Sequence, residues 1–125
     1  MYLVDTNVFL EILLNQKRKE KCKKFLNANV GRLHISDFSL HSIGVILFRK
    51  GRANAFRKFI DDSMPNTQLL SLPIDRYKDV VKAQKEFGLD FDDAYQYSLA
   101  KAYGLKPVTM DDDFKRIKDL EVIFL

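Results

Sequence analysis

The sequence predicts an α/β fold in which a parallel sheet is covered by helices on both faces. Short apolar runs alternate along the chain with segments whose apolar residues recur at helical spacing. Strands and helices in alternation are typical of a parallel sheet. No linker, repeat or low-complexity segment interrupts the pattern, and 125 residues with 46% hydrophobic composition suit one core. We therefore expect a single domain over residues 1–125.

In the first half of the chain, two predicted strands are each followed by two predicted helices. The strands are the apolar runs Tyr2–Val4 and Leu33–Ile35. Apolar residues three and four apart predict the helices. Ser36 or Asp37 suits the N-cap of the third helix, and Gly51 ends it. The four helices are predicted over residues 6–15, over residues 17–29, up to about Lys50, and through Phe56, Phe59 and Ile60 to Met64.

The second half continues the alternation. Leu69–Leu72 is the third predicted strand, and Pro73 after it suits the N-terminal end of a helix. That helix is expected from about Ile74 to Gly88. Another is expected to begin at Asp92 or Asp93, one of which would cap it, and to end at Tyr103. The remaining predicted elements are a strand at Pro107–Thr109, a short helix within residues 111–117 and a strand at Val122–Phe124.

Charge and composition narrow the functional classes. The formal net charge of +4 favours a polyanionic partner, and basic residues cluster at Lys17–Lys24 and Arg49–Lys58. No apolar stretch approaches the roughly 20 residues that span a bilayer. The single Cys22 cannot form an internal disulfide, and no Cys/His spacing suits zinc. We therefore expect a cytoplasmic protein without a membrane segment.

Aspartates follow three of the apolar runs. Asp5 follows the first strand, Asp93 lies near the start of a helix, and Asp111 and Asp113 follow the fourth strand. Each has a structural alternative, because aspartate also caps helices. The carboxyl ends of parallel strands share one edge of a sheet, however, so these carboxylates are expected to meet. A carboxylate cluster repels itself unless it holds a cation, and Mg²⁺ prefers oxygen ligands. The pattern predicts a metal pocket.

Three motifs give the chain a resemblance to the PIN domain family. Asp5–Leu10 resembles its opening motif, Phe91–Gln96 its central Asp-Ala helix start, and Thr109–Phe114 its late Thr-x-Asp-x-Asp-Phe signature. The resemblance covers essentially the whole chain and includes the small VapC toxins of toxin–antitoxin pairs. It implies a three-layer α/β/α sandwich and a Mg²⁺- or Mn²⁺-dependent ribonuclease. It also implies an antitoxin partner and a homodimer.

The resemblance assigns roles to the acidic positions. Asp5 and Asp93 would be the main metal ligands, Asp111 would complete the pocket, and Asp113 would assist it or orient water. Asp92 is an alternative to Asp93, which the resemblance favours because it directly precedes an alanine.

Thr109 is also considered, because its hydroxyl could hold a pocket carboxylate or a substrate phosphate. An inconsequential threonine at a strand end is the alternative.

One position departs from the family pattern. The family places a glutamate on the helix after the second strand, where this chain has Ser42. A serine hydroxyl carries no charge, so weaker cation binding is expected unless Asp37, Glu11 or His41 substitutes. The leading hypothesis is a metal-dependent ribonuclease of the toxin type. The alternative is a catalytically weakened PIN-like domain that binds RNA or a protein partner.

Overall fold

A computed structural model describes residues 1–125 and contains one five-stranded sheet. All neighbouring strands are parallel, in the order β3-β2-β1-β4-β5. The parallel sheet that the sequence predicts is therefore confirmed. The strands are β1 (Tyr2–Val4), β2 (Leu33–Ser36), β3 (Thr67–Leu70), β4 (Lys106–Thr109) and β5 (Ile123–Phe124).

Six α-helices and three short 3-10 helices connect the strands. None of the helices combines the length and the apolar character that crossing a bilayer requires. The 3-10 helices are Met64–Asn66, Ile74–Arg76 and Asp112–Arg116. The α-helices are α1 (Thr6–Leu13), α2 (Lys19–Ala28), α3 (Asp37–Arg49), α4 (Ala53–Asp62), α5 (Tyr77–Phe87) and α6 (Phe91–Tyr103).

The sheet separates two apolar cores, which gives the three layers of the predicted sandwich. Successive strand residues point to opposite faces. Leu3 accordingly packs with α5 and α6, whereas the adjacent Val4 packs with α1 to α4. Both residues are buried, as expected for a central strand covered on both sides.

The register of β1 and β4 determines which side chains share the sheet edge. Val4 pairs with Val108, and the Asp5 N–H donates to the Val108 carbonyl at 2.9 Å. Asp5 and Thr109 therefore lie side by side at the carboxyl ends of adjacent strands. This edge is where parallel sheets place their ligand sites.

Several element boundaries differ from the sequence prediction, among them those of the third strand and of α6. The third strand covers Thr67–Leu70 rather than Leu69–Leu72, because Thr67 to Leu70 pair with the four residues of β2. Leu72 is buried beyond the strand, and its N–H donates to the Tyr95 hydroxyl. Leu72 is therefore apolar because it packs in the core, although it is not part of a strand.

The start of α6 corrects a second expectation. The N-cap is Asp90, and the helix begins at Phe91. Asp92 and Asp93 therefore lie in the first helical turn, and neither of them is the cap. At the start of α3, by contrast, Ser36 is the N-cap, and its hydroxyl accepts the Ser39 N–H at 2.9 Å.

Candidate functional site

A pocket of about 270 Å³ lies at the carboxyl edge of the sheet, between the N-terminal parts of α1 and α6 and the side of α3 that carries Phe38, Ser42 and Ile46. Asp5, Asp93 and Asp111 all line it, so the three predicted metal ligands are brought together. The full lining is Asp5, Thr6, Asn7, Leu10, Phe38, Ser42, Ile46, Asp92, Asp93, Gln96 and Asp111.

The tightest group of carboxylates comprises Asp93, Asp111 and Asp113. One oxygen from each lies within 4.8 Å of the others. Asp113 is also paired with the Arg116 guanidinium at 3.4 Å. Asp5 is outside this tight group, although it lines the same pocket.

Asp93 is a largely buried residue whose carboxylate opens onto the pocket and has no hydrogen-bond donor from the protein. The residue is 6% exposed, and no backbone or side-chain N–H or O–H is directed at its oxygens. Burial, followed by repulsion from Asp92, Asp111, Asp5 and Asp113, raises the pKa of Asp93 to about 8. The mutual repulsion expected of the clustered acids is thus present, and a cation would reverse it.

Asp5 is held by four hydrogen bonds. Its Oδ2 accepts from the Thr109 hydroxyl at 2.7 Å and from Asn7 Nδ2 at 3.3 Å. Its Oδ1 accepts from the Thr6 N–H at 2.8 Å and from Gln96 Nε2 at 3.3 Å. Burial nevertheless raises the pKa of Asp5 above its usual value. Asp5 therefore caps α1 and faces the pocket as well, so the two interpretations of this residue are compatible.

Asp111, like Asp5, both caps a helix and lines the pocket. It is the N-cap of the 3-10 helix Asp112–Arg116, and its Oδ1 accepts the Asp113 N–H at 2.9 Å. Its own N–H donates to the Thr109 hydroxyl oxygen at 3.0 Å. Thr109 is fully buried and links Asp5 to Asp111, which favours the carboxylate-holding role over the inconsequential one.

Asp92 and Asp93 differ in their surroundings. Asp92 is exposed at the rim of the pocket, whereas Asp93 is buried within it and near the oxygens of Asp111 and Asp113. Of the two, Asp93 is the residue that the structure places against the other carboxylates.

Ser42 lines the pocket, so the position that lacks a glutamate faces the acidic group. The three candidate substitutes all lie elsewhere. Glu11 accepts the Arg18 N–H at 2.7 Å, and Asp37 accepts the Tyr95 hydroxyl at 2.6 Å. His41 is exposed and does not line the pocket.

Sequence reasoning missed Gln96 and Ser39. Gln96 Nε2 donates to Ser39 Oγ at 3.0 Å, and both residues are buried beside Asp5. A signal was available for Gln96, because residues three apart on a helix lie on one face and Gln96 is three residues after Asp93. No feature of the sequence distinguishes Ser39 from any other serine in the first turn of a helix.

The donor set suits a hard divalent cation. All its charged groups are carboxylates, and the buried Asp93 lacks any partner within the protein. Mg²⁺ and Mn²⁺ accept oxygen ligands of this type. The residues present therefore fit the ion that the sequence analysis expects, with one acid fewer than the family pattern.

A comparison with protein-family models finds one that covers nearly the whole chain. Residues 2–120 match the family described as PIN domain. No curated protein is significantly similar in sequence to this chain.

Solved structures share the fold over almost their full lengths. VapBC2 from Rickettsia felis, bound to a promoter DNA fragment, has a TM-score of 0.81 at 16% identity and covers 97% of this chain and 96% of its own. A toxin-antitoxin complex from Klebsiella pneumoniae has a TM-score of 0.76 at 20% identity, with 98% and 100% covered. VapC20 from Mycobacterium tuberculosis, described as a Sarcin-Ricin loop cleaving toxin, has a TM-score of 0.79 at 14% identity, with 92% and 93% covered.

Proposed function

The chain belongs to the PIN domain family, and we propose that it is a metal-dependent ribonuclease that serves as the toxin of a toxin–antitoxin pair. The nature of its structural neighbours supports the proposal. One is a toxin that cleaves the Sarcin-Ricin loop, and others are toxin-antitoxin complexes. An RNA substrate and an antitoxin partner follow for this chain by analogy of fold.

The single observation that carries the proposal is the unpaired Asp93. The charged form of a pocket carboxylate that lacks protein donors and has other carboxylates within 4.8 Å is unfavourable without a counter-ion. The nearby Arg116 is paired with Asp113, at the edge of the group. A divalent cation would supply the missing charge.

The proposed roles of the residues follow from their positions. Asp93, Asp111 and Asp5 would hold Mg²⁺ or Mn²⁺, and Asp113 would add charge or orient water. Thr109 would keep Asp5 and Asp111 in place through its two hydrogen bonds. The bound cation would activate water for attack on a phosphodiester and stabilise charge on the phosphoryl oxygens.

An RNA-cleavage assay with and without Mg²⁺ or Mn²⁺ tests the proposal. Asp93→Asn removes a pocket charge without breaking a protein hydrogen bond, so its cleavage should fall at least about 100-fold. Asp5→Asn should also abolish cleavage. Asp112→Asn is the matched control, because Asp112 is exposed and pairs only with Lys115. The assignment would be contradicted if the wild-type protein cleaved RNA equally fast with and without the cation. It would also be contradicted if Asp93→Asn cleaved RNA at the wild-type rate.

Ser42 supports a second candidate function, in which the domain binds RNA or a protein partner with little cleavage. The pocket lacks one carboxylate, and none of the three candidate substitutes lines it. Ser42→Glu is then expected to raise both Mn²⁺ affinity and cleavage. Ser42→Gln, with a similar shape and no charge, should not.

The comparison is made by calorimetric titration of Mn²⁺ and by the RNA assay. Wild-type cleavage as fast as that of Ser42→Glu would argue against the weakened domain. Wild-type RNA binding without cleavage, together with cleavage by Ser42→Glu, would favour it.

We further propose that the protein is a cytoplasmic homodimer that meets its antitoxin through protein–protein contacts. Multi-angle light scattering of the purified chain measures the oligomeric state directly. A monomer at all accessible concentrations would remove the dimer from the proposal and leave the nuclease assignment intact.

A further inference from the structure

Gln96 is a buried amide at the floor of the acidic pocket. It is 3% exposed, lines the pocket and lies one helical turn after Asp93 on α6. No charge or nucleophile marks it as a reacting group. Its contacts nevertheless join it directly to the carboxylates.

The amide nitrogen of Gln96 has two acceptors. Nε2 donates to Ser39 Oγ at 3.0 Å and to Asp5 Oδ1 at 3.3 Å. Ser39 Oγ in turn accepts from the Thr6 hydroxyl at 2.8 Å. These contacts orient the amide, because a carboxylate can face the NH₂ group and would repel the oxygen.

The amide oxygen of Gln96 has no partner. Oε1 is the one buried side-chain oxygen or nitrogen in the structure without a hydrogen bond. An unsatisfied buried acceptor destabilises a fold by about 1–3 kcal/mol, so it calls for an explanation. Rotating the amide would not remove the problem, since the oxygen would then face Asp5. The fold therefore tolerates an unpaired oxygen in order to keep the amide nitrogen on Asp5 and Ser39.

We propose that Gln96 is a positioning residue for Asp5, one of the carboxylates that would hold the cation. Its Nε2 donates to Asp5 Oδ1 and fixes the direction in which that carboxylate faces the pocket. The inference rests on the proposed metal-dependent function.

Gln96 acts on the cation only through Asp5, to which its amide nitrogen donates. Groups that hydrogen-bond metal ligands typically change metal affinity by about 10–100-fold when mutated. A purely structural link between α3 and α6 would alter the stability of the fold and leave the affinity unchanged.

Calorimetric titration of Mn²⁺ separates the two roles. Gln96→Met keeps the length of the side chain and removes both polar atoms, so the affinity should fall by about 10-fold or more. Ser98→Ala is the matched control, because Ser98 is buried on α6 and bonds only to the Ala94 carbonyl. Its affinity should equal that of wild type.

The unfolding temperature of every variant is measured without cation in parallel. A lower unfolding temperature for Gln96→Met with wild-type Mn²⁺ affinity would overturn the positioning role. If Gln96→Met does not fold, Gln96→Asn replaces it, and wild-type affinity there would overturn the role equally. Failure of the wild-type protein to bind Mn²⁺ would instead overturn the proposed metal-dependent function, on which this role depends.

Discussion

At the scale of single residues, Asp93 shows why the pocket is unfavourable without a positive charge. Asp5 accepts four hydrogen bonds, whereas Asp93 accepts none from the protein. Hydrogen bonds to a carboxylate favour its charged form and offset burial. Asp93 lacks that compensation, and its pKa is raised to about 8.

This shift predicts how the stability of the metal-free protein depends on pH. The folded-state pKa of Asp93 lies above the unfolded value, so folding takes up a proton between about pH 4 and pH 8. The contribution of Asp93 is therefore fully favourable below about pH 4 and is lost as the pH rises through about 8. Since one pKa unit equals about 1.4 kcal/mol, metal-free Asp93→Asn should exceed wild type in stability by at least that amount at pH 8.

Urea unfolding in a chelator at pH 5 and pH 8 measures the effect. Asp75→Asn is the control, because Asp75 is exposed and does not contribute to the raised pKa of Asp93. A stability difference between Asp93→Asn and wild type that is the same at both pH values would contradict the prediction.

At the scale of secondary-structure elements, the first turn of α6 is fixed against α3 and the segment after β3 by one side chain. The Tyr95 hydroxyl donates to Asp37 at 2.6 Å and accepts the Leu72 N–H at 2.9 Å. Burial and the bond to Asp37 raise the pKa of Tyr95 well above its usual range. This link stabilises the packing of α6 outside the pocket, which Tyr95 does not line.

Tyr95→Phe is expected to lower the free energy of unfolding by about 1–3 kcal/mol, because it leaves the Leu72 N–H without a partner and removes one of the two hydrogen bonds that Asp37 Oδ1 accepts. Tyr103→Phe is the control, since its hydroxyl is exposed and makes one longer bond of 3.3 Å to the Ser71 carbonyl. Mn²⁺ affinity measured on folded Tyr95→Phe should stay near the wild-type value. A large loss of affinity would show that α6 moves when the link is removed.

The element boundaries that sequence patterns misplace have a common physical cause. Leu72 is apolar because Tyr95 and the α6 core cover it, and the strand ends two residues earlier. At α6, the observed cap Asp90 and the two predicted caps, Asp92 and Asp93, are all aspartates. Local propensity cannot choose among them, since the packing of α6 selects the starting residue.

At the scale of the whole molecule, acidic and basic groups occupy adjoining parts of the surface. The acids meet at the carboxyl edge of the sheet, and one basic cluster continues from the pocket along α3. Ile46 lines the pocket, and Arg49 and Lys50 follow it by one turn as exposed residues. Arg52 lies beside them and donates to the Leu13 carbonyl at the end of α1. An RNA strand crossing the pocket would meet these cations.

The double substitution Arg49→Gln with Lys50→Gln should therefore weaken RNA binding. The slope of log affinity against log salt should become shallower by about 0.7 for each phosphate that the variant no longer neutralises. Fluorescence anisotropy with single-stranded RNA, in an Asp93→Asn background that prevents cleavage, provides the measurement. Lys21→Gln with Lys24→Gln is the charge-matched control on α2. If both double substitutions weakened RNA binding equally, the attraction would be spread over the whole basic surface, and RNA would not follow α3 in preference to α2.

The sequence by itself determined the alternation of strands and helices, the parallel sheet and the edge at which the acids gather. Hydrophobic periodicity and the ends of strands depend on residues close together in the chain, so they can be predicted from short stretches of sequence. The positions of Asp5, Asp93 and Asp111 along the chain likewise predicted that they share a pocket, as they do. The motifs around them indicated the PIN domain family, which the family match confirms.

Only the tertiary structure decided how the pocket is built. It put Asp113 in the tight carboxylate group, gave Asp5 a hydrogen bond from Thr109 across 104 residues of chain, and left the Gln96 oxygen without a donor. These contacts depend on how α6 packs against the strand ends and α3. No pattern within one segment of sequence encodes the distance between side chains so far apart in the chain.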